Sequence, residues 1–68
     1  SAQKLTLLQH VSKSFGQPVT KISIELGRKK EAVSRDLHQL ESLGFLKMRR
    51  EGNKVYPKVS YKAIQIEL

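Results

Sequence analysis

The chain contains no cysteine and no tryptophan. Without cysteine, neither a disulfide nor a Cys-based zinc site can staple it. His10 and His38 lie far apart and make a poor metal motif, so no metal or other cofactor is expected. Long apolar runs are also missing. None approaches the ~18 residues needed to span a bilayer, and no secretory leader is read. The expected home is the cytoplasm, on the nucleoid if the source is prokaryotic, with no membrane partner. Aromatic residues make up 6% of the chain. A single-strand or RNA binder usually stacks bases on exposed aromatics; only Tyr56 and Tyr61 qualify, since Phe15 and Phe45 read as buried. Enzyme motifs such as GxSxG, Walker A and HExxH are missing as well. Ser34 has no histidine and acid placed as a triad, and a domain this small seldom encloses a substrate cavity. No enzyme is expected. Acidic residues are scarce: 6 Asp/Glu stand against 13 Lys/Arg, for a formal charge of +7 and a sequence pI near 10.1. That balance favours a polyanionic partner.

At 68 residues the chain reads as a single domain, residues 1–68. Such a domain buries only about 60% of its unfolded surface, so its core must come from aliphatic side chains on packed elements. Over residues 2–15, Leu5, Leu8, Val11 and Phe15 recur at helical spacing with Leu7 beside them. Gly16 and Pro18 then stop the helix. Pro18-Val19 reads as a short extended segment that pairs with a later sheet. Thr20 is placed to cap a second helix through its hydroxyl. Ile22, Ile24 and Leu26 alternate as in a strand, but Gly27 and the basic run behind it favour helix, turn, helix. A third helix carries Ala32, Val33, Leu37, Leu40 and Leu43 on one face and stops at Gly44. Leu46 and Met48 alternate with Lys47 and Arg49, and Gly52-Asn53 makes a turn. Val55 and Val59 resume the pattern. Pro57, which donates no backbone hydrogen bond, needs an edge. Ile64, Ile66 and Leu68 read as one more strand, whose bare edge invites a partner chain. The expected class is α+β: a winged helix-turn-helix, three helices with a small antiparallel β-sheet wing.

This order of elements usually lays its second basic helix in a DNA major groove. Lys29, Lys30, Glu31, Ser34, Arg35 and His38 fall in the part of the third helix that would meet base edges. Arg35 is suited to a bidentate guanine contact, worth roughly 1–3 kcal/mol of discrimination. Lys30 suits the same role or a phosphate, and Ser34 is short enough for close approach. Glu31 either accepts from a cytosine amino group or pairs with Arg35 four residues on, the pair being the favoured reading. On the wing, Arg49, Arg50, Lys54 and Lys58 are expected on phosphates or in the minor groove. Arg28 and Lys21 are candidates for phosphates at helix starts. The plainer reading of each cation is a solvated surface. The expected partner is double-stranded DNA, bound by a homodimer on two-fold half-sites. The rival reading is a protein-interaction module inside a larger assembly. No effector ligand is named by the sequence.

Val33-Ser34-Arg35-Asp36-Leu37, followed by Leu40-Glu41-Ser42-Leu43-Gly44-Phe45-Leu46, resembles the winged-helix regulators related to MarR and ArsR. Their recognition helix reads V-S-R-x-L-x-x-L-E-x-x-G-[LF]-[LIV]. The likeness covers residues 19–59 and is specific to the fold, not to one operator. Tyr56-Pro57-Lys58-Val59-Ser60-Tyr61-Lys62-Ala63-Ile64-Gln65-Ile66-Glu67-Leu68 is similar to R-P-x-V-x-Y-D-x-I-x-I-x-L, the ending of predicted MarR-like regulators of bacteria and archaea. Tyr56 and Lys62 depart from that pattern. The resemblance implies a dimeric DNA-binding transcription regulator. A weaker likeness joins Lys29–Arg35 to Z-DNA-binding winged helices, which carry Asn and Tyr where this chain has Ser34 and His38, and a Trp-bearing wing this chain lacks.

Overall fold

The structure, a computed structural model, describes residues 2–60. Three helices precede a hairpin: α1 (Ala2–Lys13), α2 (Val19–Leu26), α3 (Lys30–Ser42), β1 (Leu46–Glu51) and β2 (Lys54–Val59). The strand expected over residues 64–68 lies outside the described residues, as does Tyr61.

α1 buries Leu7, Leu8 and Val11, with half-buried Lys4 at the start of the same face. It ends at Lys13, two residues short of the expected Phe15. Phe15 is therefore off the helical face and 94% exposed, against the expectation that it is core. Leu5 is also largely exposed. It stands about 200° from Leu7 around a helix of 3.6 residues per turn.

No strand forms at Pro18-Val19. Pro18 is the N-cap of α2, extended at φ −74° and ψ 162°, and its carbonyl accepts from the amides of Lys21 and Ile22. Val19 is the first helical residue. Proline suits a helix start because the N–H it lacks would have no partner there. Thr20 lies inside α2 rather than capping it, and the Ser23 hydroxyl donates to its carbonyl. Ile22 is fully buried while Ile24 is 79% exposed, the split a helix imposes on alternating apolar residues.

Both α2 and α3 end in the same hydrogen-bond pattern. Arg28 N donates to Ser23 O and Gly27 N to Ile24 O; Phe45 N donates to Leu40 O and Gly44 N to Glu41 O. These are paired 6→1 and 5→2 bonds, which require a left-handed residue after the helix. Gly27 (φ 64°) and Gly44 (φ 86°) supply it.

β1 and β2 pair antiparallel from Leu46↔Val59 to Glu51↔Lys54 around Gly52-Asn53. Among the described residues this is the whole sheet. Alternation divides it into two faces. Leu46 and Pro57 are buried, and Met48, Val55 and Val59 half-buried, on the face toward the helices. Lys47, Arg49, Glu51, Lys54, Tyr56 and Lys58 occupy the outer face by that register, Lys54 at the tip opposite Glu51. The core joins Leu7, Leu8, Val11, Val19, Ile22, Val33, Leu37, Leu40 and Leu46, with Phe45 packed against it.

Candidate nucleic-acid interface

Helical spacing sorts the α3 side chains into three rows. Val33, Leu37 and Leu40 face the core, and Asp36 is buried beside them. Glu31, Arg35 and His38 are exposed on the outward side. Lys30, Ser34 and Glu41 form the flank toward the wing.

That flank meets the hairpin in two ways. Near the base of the wing, the Met48 amide donates to Glu41 Oε2 at 2.7 Å, while His38 Nδ1 lies 3.8 Å from Glu41 Oε1. Near its tip lies a cleft of about 330 Å³, lined by Val19 and Thr20 of α2, Lys30 and Ser34 of α3, and Arg50, Asn53, Lys54 and Val55 of the hairpin. Three cations and the Thr20 and Ser34 side chains surround this space, and no acid lines it. Such a lining suits one oxyanion, with point charges for the net charge and hydroxyls for directional hydrogen bonds.

The expected wing cations are not one set. Arg50 and Lys54 join Lys30 and Ser34 at the cleft. Arg49 and Lys58 belong to the outer sheet face. There Arg49 reaches Glu51 Oε2 at 3.2 Å and lies 5.9 Å from the Tyr56 ring centroid. Lys58 stands directly across from Lys47.

Lys21 is exposed on α2 and Lys29 is the exposed N-cap of α3. Neither lines the cleft. Glu31 and Arg35 form no ion pair with each other, contrary to the favoured reading; both are exposed and face outward.

Arg28 was expected at a phosphate and is found elsewhere. Its Nη2 donates to Asp36 Oδ2 at 2.7 Å, with side chains only 19% and 9% exposed. Its Nη1 is buried with no hydrogen-bond partner. The pair ties the turn after α2 to the buried face of α3. Its signal lay in the sequence: Asp36 is an acid on the apolar stripe Val33–Leu37–Leu40, which requires a partner when buried. Thr20, read as a helix cap, and Asn53, read as a turn residue, also line the cleft, a placement that depends on how the wing folds back onto α2 and α3.

On the far side of the molecule, His10 Nε2 lies 2.9 Å from Glu25 Oε1 and Gln17 Nε2 donates to Glu25 Oε2 at 3.2 Å. The first contact fastens α1 to α2, and the second ties the connection between them to α2. Among the described residues no group of His, Cys, Asp or Glu is placed to hold a metal, and no helix is long and apolar enough to cross a membrane.

Three helices, a glycine turn before the outward basic helix and a two-stranded hairpin packed on that helix define a winged helix-turn-helix domain. The chain belongs to the HVO_A0114 family, whose model matches residues 1–66. No curated protein matches it. Among solved structures it is similar to the homodimeric winged helix-turn-helix DNA-binding domain of a possible ArsR-family transcriptional regulator from Mycobacterium bovis, with 23% identity and a TM-score of 0.83. It is also similar to the antimony-specific transcriptional repressor AntR, with 27% identity and a TM-score of 0.83. In both cases the match covers 97% of this chain and 60% of the other, so the chain spans less than two thirds of these proteins. Of the two, the mycobacterial protein is described as a possible ArsR-family regulator. Neither structure meets the MarR side of the resemblance.

Proposed function

We propose that this chain is the duplex-DNA-reading domain of a transcriptional regulator, a repressor that acts by occupying its operator. The observation that carries this is the acid-free cleft between α3 and the wing, with Lys30, Ser34, Arg50 and Lys54 around it. It sits beside the outward row Glu31, Arg35 and His38. A DNA phosphate in the cleft leaves that row facing the major groove, where a helix fits. Arg35 is then the guanine reader, and Glu31 accepts from a cytosine. Lys29, at the helix start, and Lys21 serve neighbouring phosphates.

The domain works as a homodimer in the cytoplasm, where its DNA is. Two observations support a dimer: one structural relative is homodimeric, and Phe15 and Ile24 hold large apolar side chains in water.

The test is anisotropy with a random duplex pool at two salt concentrations, followed by selection of the bound sequences. Salt-sensitive binding and an enriched two-fold motif are expected. Arg50→Ala should weaken binding to every sequence and lower the salt slope by about one. Arg35→Ala should relax the preference at one base pair, at roughly 1–3 kcal/mol. No binding at low salt would overturn the proposal and favour a protein-interaction module.

A further inference from the structure

Glu41 is an acid beside a surface suited to a polyanion. It shares the wing-facing flank of α3 with Lys30 and Ser34, in a domain of formal charge +7. A carboxylate in that place repels DNA, so its presence calls for a gain elsewhere. We propose that Glu41 is a positioning residue of the DNA interface: through the Met48 amide it fixes the angle of the wing against α3, and with it the width of the cleft that takes the phosphate. This rests on the function proposed above.

The bond itself is short and charge-assisted. Glu41 Oε2 accepts the Met48 N–H at 2.7 Å. It joins a backbone group of β1 to a side chain of α3, so it ties the hairpin to the helix and not strand to strand. Its other oxygen, Oε1, stands 3.8 Å from His38 Nδ1. One carboxylate therefore borders both the wing and the outward row of α3.

The cleft has walls on two separate bodies. Thr20, Lys30 and Ser34 belong to the helices, while Arg50 and Lys54 belong to the hairpin. Its width is set by how the hairpin is held. Leu46, Met48, Val55 and Val59 hold the hairpin down by apolar packing, which has no preferred direction. The bond from Met48 does have one. It also acts near the base of a lever. The turn at Gly52-Asn53 lies about 15 Å beyond Met48, at ~3.3 Å per strand residue. A swing of about 10° at Met48 would carry that tip by roughly 2.5 Å, several times the play of a hydrogen bond. The hydroxyls of Thr20 and Ser34, on the helix wall, would not follow it.

Glu41→Ala and Glu41→Gln separate position from charge. Both remove the negative charge, and charge alone would make both bind a duplex equally, and more tightly than the parent. Only Gln keeps an acceptor for the Met48 N–H. Glu41 is half-buried on a helix and alanine is a strong helix former, so both variants should fold. At constant salt, Glu41→Ala should bind a random duplex roughly tenfold more weakly than Glu41→Gln. Adding Arg50→Ala should cost at least about threefold less affinity in the Glu41→Ala background than in the Glu41→Gln one, because a misplaced wing has less contact to lose. Amide hydrogen exchange should find Met48 protected in the parent and in Glu41→Gln, and unprotected in Glu41→Ala. Equal duplex affinity of the two variants overturns the proposal. So does Met48 protection that survives in Glu41→Ala. A merely stabilising role would lower the melting temperature and leave the cost of Arg50→Ala unchanged, and that result also overturns it. A parent that binds no duplex overturns the proposed function and the interface role with it; loss of Met48 protection in Glu41→Ala then upholds only the tie between Glu41 and the wing.

Discussion

Asp36→Asn is the sharpest perturbation the structure offers. Asn keeps the shape of the side chain and removes only its charge, so no cavity forms. Asp36 is 6% exposed, and its carboxylate is 2.7 Å from Arg28 Nη2. Breaking a buried pair by removing one partner costs about 3–5 kcal/mol, because the other charge stays buried without compensation. The Arg28 side chain keeps 19% of its surface in water, which places the expectation at the lower end, about 3 kcal/mol. A domain of 68 residues has a total stability of roughly 3–10 kcal/mol. The substitution therefore consumes a third or more of it. At about 4–8 °C per kcal/mol, the melting temperature should fall by roughly 12–24 °C. Urea unfolding and thermal melts by circular dichroism measure this directly. A companion variant, Arg28→Met with Asp36→Leu, removes both charges and should recover most of the loss, since well-packed apolar residues often replace a buried pair at little cost. If Asp36→Asn lies within about 1 kcal/mol of the parent, or the double variant is no better than the single, the pair is not what holds the turn against α3.

Two smaller perturbations follow. Gly27→Ala meets no atom within 4 Å, so its cost should be the left-handed backbone alone, about 1–2 kcal/mol in urea unfolding; a neutral result would show that the turn relaxes to another geometry. Lys47→Glu turns the like-charge pair Lys47↔Lys58 into an opposite-charge one and should stabilise the hairpin by roughly 0.2–1 kcal/mol. Because Lys47 lies on the outer sheet face, its effect on duplex affinity should be well below that of Arg50→Ala.

Much of this molecule was legible from spacing alone. Val33, Leu37 and Leu40 of the α3 stripe, the glycines after α2 and α3 and the wing turn are local signals, and each appears where local chemistry puts it; Leu43, read on the same stripe, is the C-cap of α3 and 55% exposed. The alternation of Ile22, Ile24 and Leu26 was ambiguous by period, and Gly27 settled it correctly as a helix. Pro18 misled, because proline is compatible both with an extended edge and with a helix start, and only the carbonyl bonds to Lys21 and Ile22 distinguish them. Phe15 misled for a related reason: helical spacing predicts burial only while the helix lasts. The candidate site was legible as a list of cations and not as a shape. Strand alternation already separates Arg50 from Arg49 and Lys58. What it cannot supply is that the flank of α3 bearing Lys30 and Ser34 comes to rest against the wing tip, because that contact is between residues distant in sequence.

The register of the hairpin has a consequence for how the protein meets its own kind. The Ser60 amide donates to Phe45 O, so hydrogen-bonded pairs alternate from that point and Met48↔Pro57 is a non-bonded pair. At such a pair the backbone groups point away from the partner strand. On one border of the ribbon the Met48 N–H is already taken by Glu41. On the other border Pro57 has no N–H to give. A foreign strand laid along either side therefore meets a gap in mid-course, one filled by a carboxylate and one by a proline ring. Among the described residues the ribbon has two strands, and a ribbon of that kind, which by itself is a template for stacking copy upon copy, is interrupted at its centre on both flanks.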